Sequence, residues 1–183
     1  MDHRELAAEL FLSGSNCAQA ITVAFCDVTG LEKNFAARLA ASFGGGMGRM
    51  REVCGAVSGM LMVAGLLYGY DDPGENDVNK KQHYQLVQTL AGQFREEISS
   101  IVCREILKNP PSDPNPTPRT AAFYKTRPCA RMVMTAAGIL DAYISEHPVK
   151  APGKSAMEPQ QLSETGEEIP DDFSAHRPME RSL

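Results

Sequence analysis

The apolar run from Val53 to Tyr68 constrains the fold more than any other segment of the chain. Near its start lies the sequence Cys54-Gly55-Ala56-Val57-Ser58-Gly59, and the densest glycine cluster, at residues 44–48, comes shortly before it. The run is shorter than the roughly 20 apolar residues that a helix needs to cross a bilayer. It therefore predicts a buried core helix, around which the other elements must pack.

Apolar residues recur at helical spacing through the rest of residues 1–147, without the alternation that is typical of half-buried strands. Helices are predicted near residues 4–12, 17–28, 33–43, 54–68, 78–98 and 129–146. In the third of these, Phe35, Leu39 and Phe43 are in step and predict its buried face. The long fifth helix either ends near residue 99, with a new helix starting at Cys103, or runs on to residue 108. The sequence thus predicts an all-α fold, a compact helical bundle of about six helices.

The composition changes sharply after Pro148 and divides the chain into two parts. Residues 1–147 form the predicted helical domain that bears the cysteines. In residues 148–183, Glu, Pro, Ser and Gln dominate and Phe173 is the only aromatic residue. Such a composition predicts an extended, polar tail, either linker-like or docked on a neighbouring subunit of a homo-oligomer.

Charge and cysteine content narrow the classes of function. The net charge of −5, with no local run of Lys and Arg, gives no reason to expect a nucleic-acid partner. The N-terminus, interrupted by Glu5 and Glu9, lacks the architecture of a signal peptide, so we expect a cytoplasmic protein. In a reducing cytosol, the five cysteines are better suited to redox chemistry or metal binding than to permanent disulfides.

Four of these cysteines are predicted at the starts of helices and on their apolar faces. They are Cys17, Cys54, Cys103 and Cys129. The N-terminus of a helix favours an anion, and a thiolate is such an anion, so these positions favour reactive thiols. Cys26 falls instead in the last turn of its predicted helix, which predicts a structural role.

The residues leave several mechanisms open for the four thiols. One pair could cycle between dithiol and disulfide, with Cys54 as the attacking thiolate and a redox protein or a small thiol as partner, as in a thiol–disulfide oxidoreductase. All four could instead ligate an iron–sulfur cluster or a zinc ion, although no Cys-x-x-Cys pair is present. The chain could also be a helical interaction module in which the cysteines only fill the core.

Small residues and arginines near Cys54 are further candidates for the site. Gly55, Ala56 and Gly59 would let another backbone, or a cofactor, approach the central helix closely. Arg49 and Arg51 would stabilise a thiolate at Cys54, or else pair with Glu52.

The order of these motifs resembles that of the redox-active proteins known by the cysteine signature C_GCAxxG_C_C. The resemblance extends from about Ala8 to Tyr143. It rests on the motifs Gly14-Ser15-Asn16-Cys17-Ala18-Gln19-Ala20, Phe43-Gly44-Gly45-Gly46-Met47-Gly48 and Cys54-Gly55-Ala56-Val57-Ser58-Gly59, followed by Phe94, Cys103 and Cys129. It implies that Cys17, Cys54, Cys103 and Cys129 are the functional thiols. Cys26 and the acidic tail depart from the family pattern.

Overall fold

The computed structural model describes residues 2–70 and 77–149, and regular structure within them is helical apart from one isolated β-bridge. The helices are α1 (His3–Leu12), α2 (Cys17–Ala24), α3 (Cys26–Thr29), α4 (Lys33–Ala40), α5 (Gly55–Tyr68), α6 (Asp77–Ile98), α7 (Cys103–Ile106), α8 (Ala121–Thr126) and α9 (Cys129–Glu146), with a 3₁₀ turn at Ala41–Phe43. The all-α prediction is confirmed. The six predicted helices correspond to α1, α2 with α3, α4, α5, α6 and α9, whereas α7 and α8 are short additions. The predicted tail falls almost entirely outside the described residues.

Helix α5 lies at the centre of the bundle, as its apolar sequence predicts. Val57, Met60 and Val63 are fully buried. Its glycines allow α2 to approach closely, because a Cβ on Gly59 would lie 2.8 Å from the carbonyl oxygen of Ala18. No helix in the described part of the chain has the length and hydrophobicity needed to span a membrane.

Helices α1 and α9 close the bundle, and the buried side chain of His3 joins them. Its Nδ1 lies 2.5 Å from Oδ1 of Asp141 on α9, and its Nε2 lies 3.0 Å from Oδ1 of Asp27 on α3. The imidazole also stacks on Phe25, with ring centroids 4.1 Å apart. One side chain therefore ties three helices together.

The prediction for the buried face of α4 is wrong. Phe35 and Leu39 are 47% and 43% exposed, whereas Ala36 and Ala40 are fully buried. The small residues face α2 because the two helices pack closely there, with Oγ1 of Thr22 only 3.4 Å from the carbonyl oxygen of Ala36. Larger side chains on that face would prevent this approach.

The chain breaks between α6 and α7, which confirms the first of the two alternatives for this region. Ser99 adopts a left-handed conformation, with φ of 76°, and ends α6. The hydroxyl of Ser100 then accepts a hydrogen bond from the N–H of Val102 at 2.9 Å. Cys103 is the first residue of the new helix.

Candidate thiol site

All four predicted cysteines line one cavity of about 310 Å³. Cys17, Cys103 and Cys129 are the first residues of α2, α7 and α9, and Cys54 directly precedes α5. Cys17, Cys54 and Cys103 are buried, and Cys129 is partly exposed. Helix starts thus bring together thiols that are far apart in the sequence.

A reciprocal cap fixes the position of Cys17. The side-chain oxygen of Asn16 accepts hydrogen bonds from the N–H groups of Ala18 and Gln19, both at 3.0 Å, and Gln19 accepts one from the N–H of Asn16. This capping box ends the preceding loop at Asn16 and begins α2 at Cys17.

The isolated bridge between Val53 and Val102 fixes Cys54 and Cys103. The N–H of Cys54 donates to the carbonyl oxygen of Ile101 at 2.8 Å, and the N–H of Cys103 donates to that of Glu52 at 2.6 Å. The two cysteines therefore enter the cavity from paired segments of backbone.

Glycines lie where the backbone passes these sulfurs. Gly46 has φ of 75°, and a Cβ there would lie 2.6 Å from the Cβ of Cys103. A Cβ on Gly55 would lie 3.1 Å from the Cβ of Cys17. Both positions exclude larger side chains, which explains the glycines before the apolar run and near its start.

The thiols of Cys17 and Cys129 lie close enough for each to shift the pKa of the other through hydrogen bonding. This interaction lowers the pKa of Cys129 to about 7 against the opposing effect of burial, and the guanidinium groups of Arg127, Arg119 and Arg51 assist. The same interaction, together with burial, raises the pKa of Cys17 well above the ordinary range of a thiol. Of the two, Cys129 is therefore the thiol that ionises first as the pH rises.

The other two thiols are held in the protonated form. Burial raises the pKa of Cys54 to about 12, although the N–H groups of Ala56 and Val57 oppose this rise. Burial also raises the pKa of Cys103, which Arg51 opposes. The raised pKa disfavours the role of attacking thiolate predicted for Cys54, because its desolvation outweighs the favourable start of the helix.

The two arginines predicted near Cys54 contact other parts of the site. Arg51 is 3% exposed, and its Nε donates to the carbonyl oxygen of Pro111 at 2.9 Å. Arg49 donates to the carbonyl oxygen of Asp113 at 2.7 Å. Glu52 pairs with Arg104 instead of either one. Arg51 thus lowers the pKa of Cys103 and Cys129 rather than that of Cys54.

The remaining predicted residues separate into those at the cavity and those away from it. Gly55 lines the cavity, whereas Ala56 and Gly59 are buried in the contact of α5 with the bundle. Cys26 lies in a separate apolar cluster with Leu31 and Ala36, and its thiol donates to the carbonyl oxygen of Thr22 at 3.5 Å. The structural role predicted for Cys26 agrees with this position. It begins the short helix α3, however, and does not lie in the last turn of α2.

The side chains of the described residues give no support to the alternative of a metal centre. Within residues 2–70 and 77–149, no group of three or more Cys, His, Asp or Glu side chains is arranged to hold a metal ion. A zinc ion or an iron–sulfur cluster needs its thiolates in one coordination shell. The four cysteines share a cavity without forming such a shell.

Two arginines and a proline-rich loop of the site were not predicted. Arg119 and Arg127 line the cavity, as do Pro114, Pro116 and Thr117 from the segment between α7 and α8. The position of Arg127, two residues before Cys129, was a signal that could have identified it. Nothing in the local pattern indicated that the proline-rich segment folds back over the thiols.

Comparison with known proteins identifies a family. The model of a protein family described as "Putative redox-active protein (C_GCAxxG_C_C)" matches residues 15–143, which include all four cysteines of the cavity. No curated protein and no solved structure matches the chain.

Proposed function

Because the chain belongs to the C_GCAxxG_C_C family of putative redox-active proteins, we propose that it exchanges electrons through a dithiol–disulfide couple formed by Cys17 and Cys129. The proposal is supported by the cavity that Cys17 and Cys129 share and by the effect of each thiol on the pKa of the other. The lowered pKa favours Cys129 as the nucleophile, with Cys17 as the second thiol of the couple.

The partner in this reaction is a disulfide. The thiolate of Cys129 attacks one of its sulfur atoms, so that a mixed disulfide forms and one thiolate leaves. Cys17 then gives up its proton, which the leaving thiolate takes, and its sulfur attacks that of Cys129. A disulfide between Cys17 and Cys129 forms and the second thiolate leaves, so two electrons have passed to the partner, which ends as one thiol and one thiolate.

The interaction between the two thiols favours this order of steps. Hydrogen bonding with Cys129 is the largest cause of the raised pKa of Cys17. Once the sulfur of Cys129 is part of a mixed disulfide, it carries no negative charge to stabilise the Cys17 proton. The pKa of Cys17 then falls, so the second thiol becomes reactive when it is needed.

Trapping the intermediate tests the proposal. In the Cys17→Ser variant, a chromogenic aromatic disulfide should leave one stable mixed disulfide on Cys129, with release of one equivalent of coloured thiolate. The wild-type protein should release two equivalents and end with an internal disulfide. Equal release from the two proteins, or a label on Cys54 or Cys103 instead, would contradict the proposal. Cys26→Ser is the matched control and should behave as the wild type does.

A further inference from the structure

The cavity that holds the thiols is lined by four arginines and, in the described part of the chain, by no carboxylate. They are Arg49, Arg51, Arg119 and Arg127. This concentration of positive charge is unexpected in a protein whose net charge is −5. A single thiolate on Cys129 leaves the group strongly positive.

Arg51 is the innermost of the four, and its hydrogen-bonding capacity is only partly used. Arg51 is only 3% exposed, and its Nη2 has no hydrogen-bond partner among the described residues. A buried guanidinium donor without a partner costs free energy. An acceptor in the cavity would remove that cost.

The outer arginines differ in how far they are neutralised. Nη2 of Arg49 lies 3.4 Å from Oδ2 of Asp113, so part of its charge is balanced. Arg127 and Arg119 have no carboxylate within ion-pair distance in the described ranges. Their guanidiniums lie over the ring of Phe123, at 5.3 Å and 5.5 Å from its centroid. Aromatic stacking holds both in place. Nη1 of Arg119 donates to the carbonyl oxygen of Phe11 at 3.0 Å, whereas no side-chain hydrogen bond of Arg127 is found among the described residues.

Exposure increases from Arg51, which is buried, through Arg127, which is half-buried, to Arg119, which is exposed. The positive charge therefore extends from the mouth of the cavity to the sulfurs of Cys103 and Cys129. Planar guanidinium groups bind carboxylates and other oxyanions through paired hydrogen bonds. A volume of about 310 Å³ is at the lower end of the range for small-molecule sites.

We propose that this arginine-lined cavity is a binding site for the oxyanion group of a small molecule, and that the disulfide which oxidises the thiols is a small anionic one. The proposal rests on the proposed exchange at Cys17 and Cys129 and adds the charge of its substrate. A carboxylate seated against Arg51 and Arg127 would hold the disulfide bond of such a molecule beside the Cys129 sulfur.

Three disulfides of similar size test the charge preference. They are 3,3′-dithiodipropionate, which is anionic, bis(2-hydroxyethyl) disulfide, which is neutral, and cystamine, which is cationic. For each compound, the rate at which it oxidises the reduced protein at low ionic strength is divided by the rate at which it oxidises a free small thiol. We expect the anionic disulfide to react about tenfold or more faster than the neutral one, and cystamine to react slowest. Equal normalised rates would overturn the proposal.

Arg127→Gln is the informative variant, since no hydrogen bond of the fold is assigned to its side chain. It should reduce the ratio of the anionic to the neutral rate at least about threefold, which a change in thiolate fraction alone would not do, because that affects both rates equally. Arg38→Gln removes an exposed arginine of α4 outside the cavity and should leave the ratio unchanged. A ratio that is the same in both variants would contradict the assignment.

A binding measurement separates the failure of this inference from that of the proposed function. Sodium sulfate, compared with sodium chloride at equal ionic strength, should raise the melting temperature of the wild-type protein more than that of Arg127→Gln. If no disulfide oxidises the thiols but this difference is found, the anion site stands and the exchange function fails. If the neutral disulfide oxidises the pair without any charge preference or sulfate effect, the exchange function stands and the anion site fails.

Discussion

At the scale of single residues, burial and the surrounding charges decide which of Cys17 and Cys129 loses its proton first. Three arginines favour the negative charge on Cys129, while burial keeps Cys17 neutral. Cys54 also lies at a helix start, yet its pKa is raised to about 12 because it is desolvated. Position at a helix N-terminus is therefore not enough to make a thiol reactive.

The rate of alkylation of Cys129 should follow its thiolate fraction, with a midpoint near pH 7. Because the pKa is lowered, the reactive form is present above this pH and disappears as the pH falls through it. Iodoacetamide labelling at graded pH, read for each cysteine by peptide mass spectrometry, measures the midpoint. A midpoint above pH 8.5 would contradict the proposed coupling.

Two substitutions at Cys17 separate hydrogen bonding from the loss of the second sulfur. Cys17→Ala removes the donor, so the pKa of Cys129 should rise towards the ordinary value of about 8.5, and labelling at pH 7 should slow about tenfold. Cys17→Ser keeps a donor and should label nearly as the wild type does. Identical labelling of both variants would show that the bond has no influence.

At the scale of elements, the loop before α5 is strained. Met47, Arg49 and Arg51 have φ between 58° and 69°, a region that non-glycine residues seldom adopt. Strain of this kind persists where the surroundings over-determine the backbone, as the hydrogen bonds of Arg49 and Arg51 to the proline-rich segment do here. The loop thereby positions Arg51 in the cavity.

Met47→Gly should relieve part of this strain. Relief of about 1–2 kcal/mol is offset by the backbone entropy of glycine, so we expect a gain of about 0.5–1 kcal/mol in the free energy of unfolding. Met50→Gly is the control, because Met50 is exposed and is not left-handed, and it should give no gain. Urea unfolding measures both, and a loss of stability in Met47→Gly would contradict the account.

The glycines of α5 should respond in opposite directions to alanine. Gly59→Ala forces a Cβ to within 2.8 Å of the Ala18 carbonyl oxygen and should destabilise the protein by about 1–3 kcal/mol. Gly65→Ala meets nothing within 4 Å and should stabilise the same helix by about 0.5–1 kcal/mol. The midpoints of urea unfolding report both values. Equal effects would mean that α2 and α5 are not in close contact.

Helix existence and the starts at Cys17 and Cys129 followed from local sequence, since Asn16 and Pro128 are local signals. The face of α4 could not be predicted in this way. Phe35 and Leu39 have the spacing of a buried stripe, and only the closeness of α2 shows that Ala36 is favoured there. The arginines were missed for the same reason: Arg119 reaches the thiols because distant segments fold together, which no local pattern records.

At the scale of the whole molecule, the bundle brings the two ends of the described chain together. His3 connects α1 to both α3 and α9, and α9 begins with Cys129. The contact of α2 and α9 that aligns the two thiols therefore depends on a closed bundle.

His3→Ala should lower the free energy of unfolding by about 1–3 kcal/mol, because it leaves Asp27 and Asp141 without their shared partner and removes a stacked ring. His147→Ala is the control. It also removes a histidine stacked on a ring, that of Tyr143, but it lies exposed at the end of α9 and should change stability by less than about 0.5 kcal/mol. Thermal or urea unfolding compares the two variants, and equal losses would argue against the His3 connection.

The most direct test of the account is to map the disulfide that forms when the reduced, full-length protein is mildly oxidised. Free thiols are blocked under denaturing conditions, and the non-reduced peptides are identified by mass spectrometry. The account predicts a single predominant disulfide, between Cys17 and Cys129, with Cys26 fully blocked. A disulfide that excludes Cys129, or four thiols that all stay reduced, would contradict it.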